Sequence, residues 1–396
     1  KLKEKLKKEK IVLYCGFDAT APSLHIGHLL PMLVLKKFQV FGHRPIALVG
    51  GATAMIGDPS GKDKERPLLP EEEIKANKEK IAQQLKRIIG SNVEILDNSE
   101  WLSKIDLISF LRDYGKHFQV AQMLAKESVK RRISTAGISF CEFSYMVLQA
   151  IDFLMLFDKR NCILQIGGSD QWGNITCGID LIKKLRGKEV FGLTLPLITT
   201  KSGKKFGKTE KGAIYLDKNL TSPYQFYQFL INVPDEDVVK MLKYFTFLSK
   251  YEIEELKEKT KREPEKREAQ KALAKKVTEI VHGKEELERV ERISQILFYG
   301  NVRELKEEEI KEALFNVPSQ KIPKKEKISA IDLLVLSGAA KSKSEAKRLI
   351  KQKGIEVNGI QVESTERIFS DFEALFGKYF VIRKGKKNYY LVELEI

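Results

Sequence analysis

Two histidines three residues apart, His25 and His28, lie in the segment SLHIGHLLP. A histidine pair at this spacing could bind zinc from a helix, but a third ligand is needed, and the other histidines show no ligand spacing. The four cysteines are scattered and form no C-x-x-C pair, so they are typical of reduced thiols and argue against a zinc site. A buried structural pair and a ligand-binding pair both stay open at this point.

The surroundings of the histidines favour phosphate binding. A strand-like run ending at Gly16 precedes them, and Ser23 could cap the N-terminus of the helix that follows. The first turn of a helix attracts anions through its free N–H groups and its positive dipole end, and imidazole N–H groups there can bind phosphate. Gly27 would leave room for a nucleotide base. Pro31 is expected to distort the helix slightly.

A second candidate phosphate element is the segment KSGKKFGKTE, which carries four lysines and two glycines. Gly203 and Gly207 would make it mobile. Lys205, Lys208 and Thr209 could then close over a triphosphate and neutralise the charge that develops on a leaving pyrophosphate. Charge density alone is equally typical of a solvated basic loop.

From about Ile11 to Asp217, the sequence predicts alternating strands and helices, and these elements must position the residues named above. Four strand-like segments end in Gly or Asp and precede helix-like segments: IVLYCGF, RPIALVGG, NVEILDN and NCILQIGGSDQWGN. This pattern predicts βαβ units and a parallel sheet. Ligands of such sheets bind at the carboxyl ends of the strands, near the topological switch point.

Composition indicates an ordinary globular chain with a basic excess. The 396 residues predict two or three domains, and 42% are hydrophobic and 31% charged. No apolar run is expected to reach the roughly 18 residues that span a bilayer, and no signal peptide is evident, so we expect a cytoplasmic protein without a membrane role. The net charge of +16 favours nucleic acid as a partner, although a lysine-rich surface would give the same sum.

The second half of the sequence differs from the first. Residues from about Leu220 to Asn316 show apolar positions at helical spacing. The segment VPSQKIPKKEK, with two prolines, reads as a linker. Residues 317–396 carry a net charge of +6, with the bases concentrated from Lys341 to Lys353 at helical spacing. Asn358-Gly359 is typical of a hairpin turn.

The motifs together resemble those of one family. LYCGFDATAPSLHIGHL, GGATAMIGDPSGK, FLRDYGKHF, EFSYMVLQAIDF, QIGGSDQWGNIT and KFGKTE are similar to segments of the bacterial tyrosyl-tRNA synthetases, class I enzymes whose signatures are HIGH and KMSKS. SKSEAKRLIKQKGIEVNG resembles the S4-type RNA-binding module of that family. The resemblance covers almost the whole chain.

The resemblance implies an α/β fold in several parts. A Rossmann-like catalytic domain with a parallel sheet would occupy residues 1–218, with an inserted dimerisation region at about 97–140 in which Phe140 is a candidate contact. A helical tRNA-binding domain would follow at 219–317, a linker at 318–328, and a small α+β S4-like RNA-binding domain at 329–396. The basic stretch KESVKRR, Lys126 to Arg132, could meet the tRNA acceptor end or form a solvated helix face.

The resemblance also implies an activity and its partners. The enzyme would activate L-tyrosine with ATP, as its Mg²⁺ complex, to tyrosyl-adenylate and pyrophosphate, and then transfer the tyrosyl group to the 3′ end of tRNA-Tyr. A homodimer is expected, with no tightly bound metal held by the protein.

Site residues carry over from the family position by position. Tyr14 and Asp152 match the pair that binds the substrate phenol, which suits a group that both donates and accepts a hydrogen bond. The other tyrosine-site residues are Asp58, Tyr145, Gln149 and Gln171. The ATP-site residues are Gly16, Asp18, Thr20, His25, His28, Lys62, Arg66, Gly168, Asp170, Lys205 and Lys208, with Thr209 beside the last lysine.

Two departures and two rival functions accompany this interpretation. The loop reads KFGKT rather than KMSKS, and Ala121 stands where the family often has Asn near the tyrosine ring. One rival is a related adenylate-forming enzyme, such as a tryptophanyl-tRNA synthetase or a small nucleotidyltransferase. The other is a non-enzymatic RNA-binding protein. The presence of both signature motifs argues against it, because a protein without the catalytic activity would be free to lose them.

Overall fold

A computed structural model of the chain describes residues 1–60, 68–135, 137–203, 205–209, 212–324, 326–385 and 388–395. The chain divides into two compact units. The first contains residues 1–221 and 233–273, and the second contains residues 222–232 and 274–396. The domain boundaries expected from the resemblance, at 218, 317 and 328, stay predictions.

The first unit is built on a five-stranded sheet. Its strands are β1 (Val12–Asp18), β2 (Arg44–Gly50), β3 (Glu94–Asp97), β4 (Cys162–Gly168) and β5 (Phe191–Leu195). Their spatial order is β3-β2-β1-β4-β5, and every neighbouring pair is parallel. The strand order reverses between β1 and β4, which makes their carboxyl ends the expected ligand site. The predicted Rossmann-like sheet is confirmed, with β5 as a strand that the sequence analysis missed.

Helices connect and cover these strands. They are α1 (Leu2–Lys8), α2 (Leu29–Val40), α3 (Gly51–Ala54), α4 (Glu71–Ile89), α5 (Ser99–Leu102), α6 (Leu107–Ser109), α7 (Val120–Leu124), α8 (Glu127–Thr135), α9 (Phe140–Arg160) and α10 (Trp172–Arg186). A short hairpin, β6 (Lys208–Thr209) and β7 (Gly212–Ala213), follows the sheet.

Helix α9 lies in the core of the first unit. Ser139 caps its N-terminus by accepting a hydrogen bond from the N–H of Glu142, and Asn161 ends it in a left-handed conformation. By length and composition this helix could cross a membrane, contrary to the expectation that no apolar stretch is long enough. However, more than half of its most apolar part is buried inside the protein, as in the core helix of a globular protein.

The predicted helical segment is confirmed as a series of helices: α11 (Pro223–Ile231), α12 (Asp235–Phe245), α13 (Lys250–Arg262), α14 (Glu268–His282), α15 (Lys284–Tyr299) and α16 (Glu307–Ala313). Capping boxes start α11 at Ser222 and α13 at Ser249. Helices α12 and α13 belong to the first unit, whereas α11, α15 and α16 belong to the second.

The C-terminal part of the second unit is a small α+β structure. Its strands are β8 (Ser319–Pro323), β9 (Lys327–Ser329), β10 (Ile355–Val357), β11 (Ile360–Gln361), β12 (Ile368–Ser370), β13 (Tyr379–Lys384) and β14 (Asn388–Glu395), and its helices are α17 (Ala330–Leu336) and α18 (Lys343–Lys351). Five strands form a mixed sheet in the order β11-β10-β13-β14-β8, and β12 pairs with β9. The predicted hairpin is confirmed, since Asn358 and Gly359 both have positive φ between paired strands β10 and β11.

The segment predicted as a linker is partly a strand. Ser319–Pro323 pairs in parallel with β14 at the edge of the mixed sheet, and Ile322 is buried in the core there. Prolines are tolerated at the start and end of an edge strand, where the missing N–H breaks no ladder. Of the two prolines that suggested a linker, Pro318 precedes the strand and Pro323 is its last residue.

Candidate active site

The two histidines lie at the start of a short 3-10 turn, Ile26–His28, that leads into α2. The Nδ1 atom of His25 accepts a hydrogen bond from the N–H of Gly27 at 3.0 Å, and the Nδ1 atom of His28 accepts one from the N–H of His25 at 3.2 Å. Because Nδ1 is an acceptor in both neutral rings, both protons lie on Nε2. The ring centroids are 4.0 Å apart, so two N–H donors are held side by side.

One expectation about this segment was wrong. Ser23 does not cap the helix, because its hydroxyl donates to the carbonyl of Leu24 and also bonds the buried Gln84 side chain. A Cβ on Gly27 would lie 2.7 Å from Cε1 of the His25 ring, so this glycine leaves space for that ring. Pro31 lies in the first turn of α2, where its missing N–H matters little. Room for a base at Gly27 and a slight distortion at Pro31 stay predictions.

The described part of the lysine loop, residues 199–203, 205–209 and 212–215, lies against the histidine segment. The N–H of Ile26 donates to the carbonyl of Ile214 at 2.8 Å, and His25 forms an isolated β-bridge with Tyr215. Gly207 has a φ of +83°, and a Cβ on it would lie 2.2 Å from Cγ2 of Ile26. The two segments that the sequence suggested for phosphate binding are therefore in direct contact.

The described residues of the lysine loop include Lys205, Lys208 and Thr209. The hydroxyl of Thr209 donates to the carbonyl of Gly212 at 3.0 Å, which closes the small β6–β7 hairpin. Burial and the charge of Asp58 raise the pKa of Asp170, at the end of β4, and the ammonium of Lys205 opposes that rise. The loop thus brings positive charge to the carboxyl end of β4.

The candidate crevice, at the carboxyl ends of the central strands, also contains a buried carboxylate. Asp152 on α9 is 3% exposed and accepts hydrogen bonds from Nδ2 of Asn98 at 3.0 Å and from Nε1 of Trp101 at 2.8 Å. Burial raises the pKa of the Asp152 carboxyl to about 7, and the two hydrogen bonds oppose that rise. Each carboxylate oxygen already has one donor, which leaves acceptor capacity for a further donor.

Tyr14 on β1 lies near this carboxylate. Burial and the charge of Asp152 hold the pKa of Tyr14 well above its usual value, so the phenol is neutral. Its hydroxyl oxygen is buried, and no hydrogen-bond partner for it is found in the part of the chain that the structure describes. An unpaired buried hydroxyl is costly, and its presence beside a carboxylate favours a ligand that carries its own hydroxyl.

A chain of polar side chains runs from this carboxylate towards β1. Asn98 donates to the Thr53 hydroxyl at 2.9 Å, and Thr53 donates to Oδ1 of Asp18 at 2.7 Å. The hydroxyl of Tyr145 donates to Oδ2 of Asp18, also at 2.7 Å. Burial and the charge of Asp18 raise the pKa of Tyr145 well above its usual value, so this phenol remains a donor. One hydrogen-bonded network therefore connects Asp152 on α9 to Asp18 on β1.

A second polar group lies between α9 and α10. The amide of Gln171 donates to Oδ2 of Asp58 at 2.6 Å, and the amide of the buried Asn174 donates to Oε1 of Gln149 at 3.0 Å. The N–H of Ser60 donates to Oδ1 of Asp58 at 3.0 Å. These contacts orient one carboxylate and two amide groups, which can bind an ammonium and a carboxylate of a zwitterionic ligand.

Comparisons with known proteins show the family of this chain. A family profile described as "tRNA synthetases class I (W and Y)" matches residues 6–299, and one described as "Tyrosine--tRNA ligase SYY-like C-terminal domain" matches residues 309–392. The chain is 52% identical to the tyrosine–tRNA ligase of Geobacillus stearothermophilus over 397 aligned positions, which cover 99% of this chain and 94% of that protein. The chain belongs to the tyrosine–tRNA ligase family.

Other relatives of the family give the same result. The tyrosine–tRNA ligase 1 of Bacillus subtilis (strain 168) is 52% identical, with 99% of this chain and 94% of that protein covered. The crystal structure of a C-terminally truncated mitochondrial tyrosyl-tRNA synthetase from Aspergillus nidulans superposes with a TM-score of 0.67 at 35% identity, covering 74% of this chain and 87% of that one. Both rival functions are therefore set aside in favour of a ligase of this family.

The sequence analysis missed several polar residues in the crevice of this ligase. They are Thr53, Asn98, Trp101 and Asn174. Thr53 and Asn98 follow the carboxyl ends of β2 and β3, so the rule that ligands gather there could have indicated them. Trp101 and Asn174 carry no such signal, since their roles depend on partners far away in the sequence.

Other predicted residues of this ligase have mixed outcomes. Gly16 lies within β1 and Thr20 in the turn after it. Lys62 and Arg66 lie outside the described residues. Arg132, in the basic stretch suggested for tRNA contact, is 3% exposed and forms two hydrogen bonds of 2.8 and 2.7 Å with Glu142. It is therefore part of the core rather than the RNA-facing surface.

Metal ligation is a separate question for this crevice. Across the described ranges, no group of three or more His, Cys, Asp or Glu side chains could hold a metal ion.

Proposed function

We propose that this tyrosine–tRNA ligase activates L-tyrosine at the crevice described above and that Tyr14 and Asp152 select its side chain. The observation that carries this proposal is the buried Tyr14 hydroxyl without a described partner next to a buried carboxylate. A substrate phenol would donate a hydrogen bond to Asp152 and accept one from Tyr14. Phenylalanine would leave the buried Tyr14 hydroxyl unpaired and would give Asp152 no further donor, which is the physical basis for rejecting it.

The backbone end of the substrate would lie between α9 and α10. Asp58, Tyr145 and Gln149 would surround the ammonium group, and Gln171 would lie near the carboxylate. Tyr145, Gln149 and Asp152 occur at helical spacing on α9, so one helix face presents ligands for both ends of the amino acid. This arrangement fixes the substrate carboxylate at the nucleotide side of the crevice.

The nucleotide would lie along the carboxyl ends of β1 and β4. Gly16, Asp18, Gly168 and Asp170 are assigned to the nucleoside, and Thr20, His25 and His28 to the phosphates. Lys205, Lys208 and Thr209 would contact the phosphates from the lysine loop. Lys62 and Arg66 are assigned to the pyrophosphate by resemblance only. Mg²⁺ would arrive bound to ATP, where it neutralises phosphate charge.

Two chemical steps follow from these positions. The tyrosine carboxylate attacks the α-phosphate in line, the bond to the β-phosphate breaks, and pyrophosphate leaves with its electron pair. The terminal ribose hydroxyl of tRNA-Tyr then attacks the activated carbonyl, and AMP leaves. The imidazole Nε2–H groups and the loop ammonium groups stabilise negative charge as it moves towards pyrophosphate. No covalent enzyme intermediate is needed, because positioning and charge stabilisation suffice.

The assembly and location of the enzyme are also proposals. Several apolar side chains in the region 97–140 are exposed in the single chain, including Leu107 at 68% and Phe140 at 75%. A homodimer would cover such a surface. The basic helix α18 would bind tRNA in the S4-like part. A cytoplasmic location fits the four free cysteines.

A pyrophosphate-exchange assay with each amino acid in turn tests the proposed function. Tyrosine should support rapid exchange in the presence of Mg-ATP, whereas phenylalanine and tryptophan should not. Exchange with tryptophan, or comparable exchange with tyrosine and phenylalanine, would contradict the proposed selection by Tyr14 and Asp152. Charging of tRNA-Tyr by the same preparation tests the second step.

A further inference from the structure

The base of the lysine loop is attached to helix α12. The N–H of Lys201 donates to Oδ1 of Asp237 at 2.9 Å. The ammonium of Lys240, one turn further along the same helix, donates to the carbonyl of Thr199 at 3.0 Å. The helix therefore holds the loop backbone at two positions near the point where it leaves the sheet.

The contact with Asp237 is buried, unlike its neighbour. Asp237 is 3% exposed, and a backbone N–H that lost such an acceptor would be left without compensation. Glu236, the preceding residue, forms an ion pair of 3.2 Å with the ammonium of Lys201, but both side chains are about half exposed or more. Exposed pairs contribute little to stability, so Glu236 is a natural comparison for Asp237.

The middle of the lysine loop also packs on α12. Phe206, between Lys205 and Gly207, is 7% exposed and stacks on the fully buried Phe245 at a centroid distance of 5.7 Å. The N–H of Phe206 donates to the carbonyl of Ile198 at 2.9 Å. This aromatic contact fixes the backbone next to Lys205, one of the proposed phosphate ligands.

Helix α12 is itself fixed within the first unit. The side-chain amide of Gln270, a residue with 0% exposure, donates to Asp235 at the first turn of α12 and to the carbonyl of Val233. The lysine loop also contacts the histidine segment, through Gly207 and Ile26. The loop therefore lies between two anchored elements, with the helix on one side and the 3-10 turn on the other.

We propose that Asp237 and Lys240 are positioning residues for amino acid activation. They hold the base of the lysine loop so that Lys205 and Lys208 are already near the phosphates when charge moves onto pyrophosphate. Pre-positioned cations need no reorganisation at the moment of reaction, so loosening the loop should slow the step rather than weaken tyrosine binding. This inference rests on the proposed role of the loop lysines.

The test uses the full-length enzyme and single-turnover formation of tyrosyl-adenylate. Asp237→Ala should slow this step about tenfold, as expected for loss of one buried hydrogen bond, while tyrosine affinity stays within about twofold. Asp237→Asn keeps an acceptor oxygen and should recover most of the rate. Glu236→Ala removes an equivalent charge from the same helix end and should change the rate by less than about twofold.

A double-mutant cycle separates positioning from general destabilisation. In an enzyme carrying both Lys205→Ala and Lys208→Ala, Asp237→Ala should have less than about a twofold effect, because the groups that it positions are gone. An undiminished effect in that background would overturn the proposal. Lys240→Met keeps the aliphatic chain but removes the donor to Thr199, and it replaces Asp237→Ala in the cycle if that variant does not fold.

The outcomes also distinguish this proposal from the one on which it rests. If the two lysine substitutions leave activation unchanged, the proposed role of the loop fails and this inference fails with it. If they slow activation but Asp237→Ala and Lys240→Met do not, only the positioning role is wrong. Slow activation in all these variants, with normal tyrosine binding and a reduced effect in the cycle, supports both.

Discussion

Gly207 lies directly against Ile26. A Cβ on Gly207 would be 2.2 Å from Cγ2 of Ile26, whose side chain is fully buried, and the φ of Gly207 is +83°. Both the backbone conformation and the absence of space require glycine at this position. The contact joins the KFGKT segment to the HIGH segment, so a change at Gly207 should alter how the two phosphate elements meet.

The first prediction concerns this contact. Gly207→Ala combines backbone strain, on the order of 1–3 kcal/mol, with a clash against Ile26, so it should slow tyrosyl-adenylate formation at least about fivefold. Gly203→Ala is the matched control, because Gly203 has a φ of +82° and no described atom within 4 Å of its Cβ position. Equal single-turnover rates for the two variants would show that the clash with Ile26 has no effect.

The second prediction concerns the hydroxyl of Tyr14. Tyr14→Phe removes a buried hydroxyl that has no partner among the described residues, so the free enzyme should be as stable as wild type or more stable by about 1 kcal/mol. Its preference for tyrosine over phenylalanine in pyrophosphate exchange should fall. Tyr145→Phe, which removes a donor to Asp18, should instead lower the free energy of unfolding by about 1 kcal/mol. Urea unfolding measures both, and clear destabilisation by Tyr14→Phe would contradict the prediction.

The third prediction concerns the pH dependence of stability. Burial raises the pKa of Asp152 to about 7 in the folded state, whereas the pKa of an aspartate in the unfolded chain is about 3.9. Between these values the folded state holds a proton that the unfolded state has lost. The contribution of Asp152 to the free energy of unfolding should therefore fall as pH rises from about 4 to about 7 and stay level above.

Comparison with Asp152→Asn isolates this contribution. The difference in unfolding free energy between wild type and variant should decrease steadily across that pH range, because the amide does not titrate there. A constant difference from pH 4 to pH 8 would mean that Asp152 is not the group that keeps a proton in the fold. Denaturant unfolding at several pH values provides the measurement.

The fourth prediction concerns the buried ion pair of Arg132 and Glu142. The pair joins α8 to the first turn of α9, the helix that carries the proposed tyrosine ligands. Arg132→Met leaves an uncompensated buried carboxylate and should cost about 3–5 kcal/mol. Adding Glu142→Leu should recover most of that loss. A double variant no more stable than the single one would show that the cost comes from packing rather than from charge.

The fifth prediction concerns tRNA binding by α18. Lys347 and Lys351 are exposed on this helix, so each lysine-to-alanine change should weaken tRNA-Tyr binding and reduce the slope of log affinity against log salt by about 1. Adenylate formation should not change. Lys343 forms an ion pair of 2.9 Å with Asp332 and should matter less when replaced. Unchanged affinity and salt dependence in both variants would locate RNA binding elsewhere.

The parallel sheet was predictable because four of its strands can be recognised from their own sequence. Each is a short apolar run that ends in Gly or Asp before a helix, as in RPIALVGG. Strand β5, FGLTL, is only half-buried along its length and carries Gly192, so its pattern is weak. Strand β8 was not predicted because its segment contains prolines. Prolines are tolerated there because β8 pairs with β14 at the edge of the sheet.

The candidate site divides in the same way. His25, Asp152 and Lys208 could be named from the sequence because their residue types and motifs indicate chemistry. The role of Asn98 depends on Asp152, 54 residues further along, and nothing local indicates that contact. Only the tertiary fold brings these two side chains together.

The contact between Ile26 and Ile214 has a consequence for the making of the protein. A ribosome adds roughly 5–20 residues per second, so about 10–40 seconds separate the emergence of the histidine segment from that of its partner. Helix α12, which anchors the lysine loop, emerges later still. In a growing chain, the histidine segment is therefore exposed long before its partner segment can bind to it. We expect no nucleotide chemistry until the lysine loop and α12 have left the ribosome and packed against the rest of the first unit.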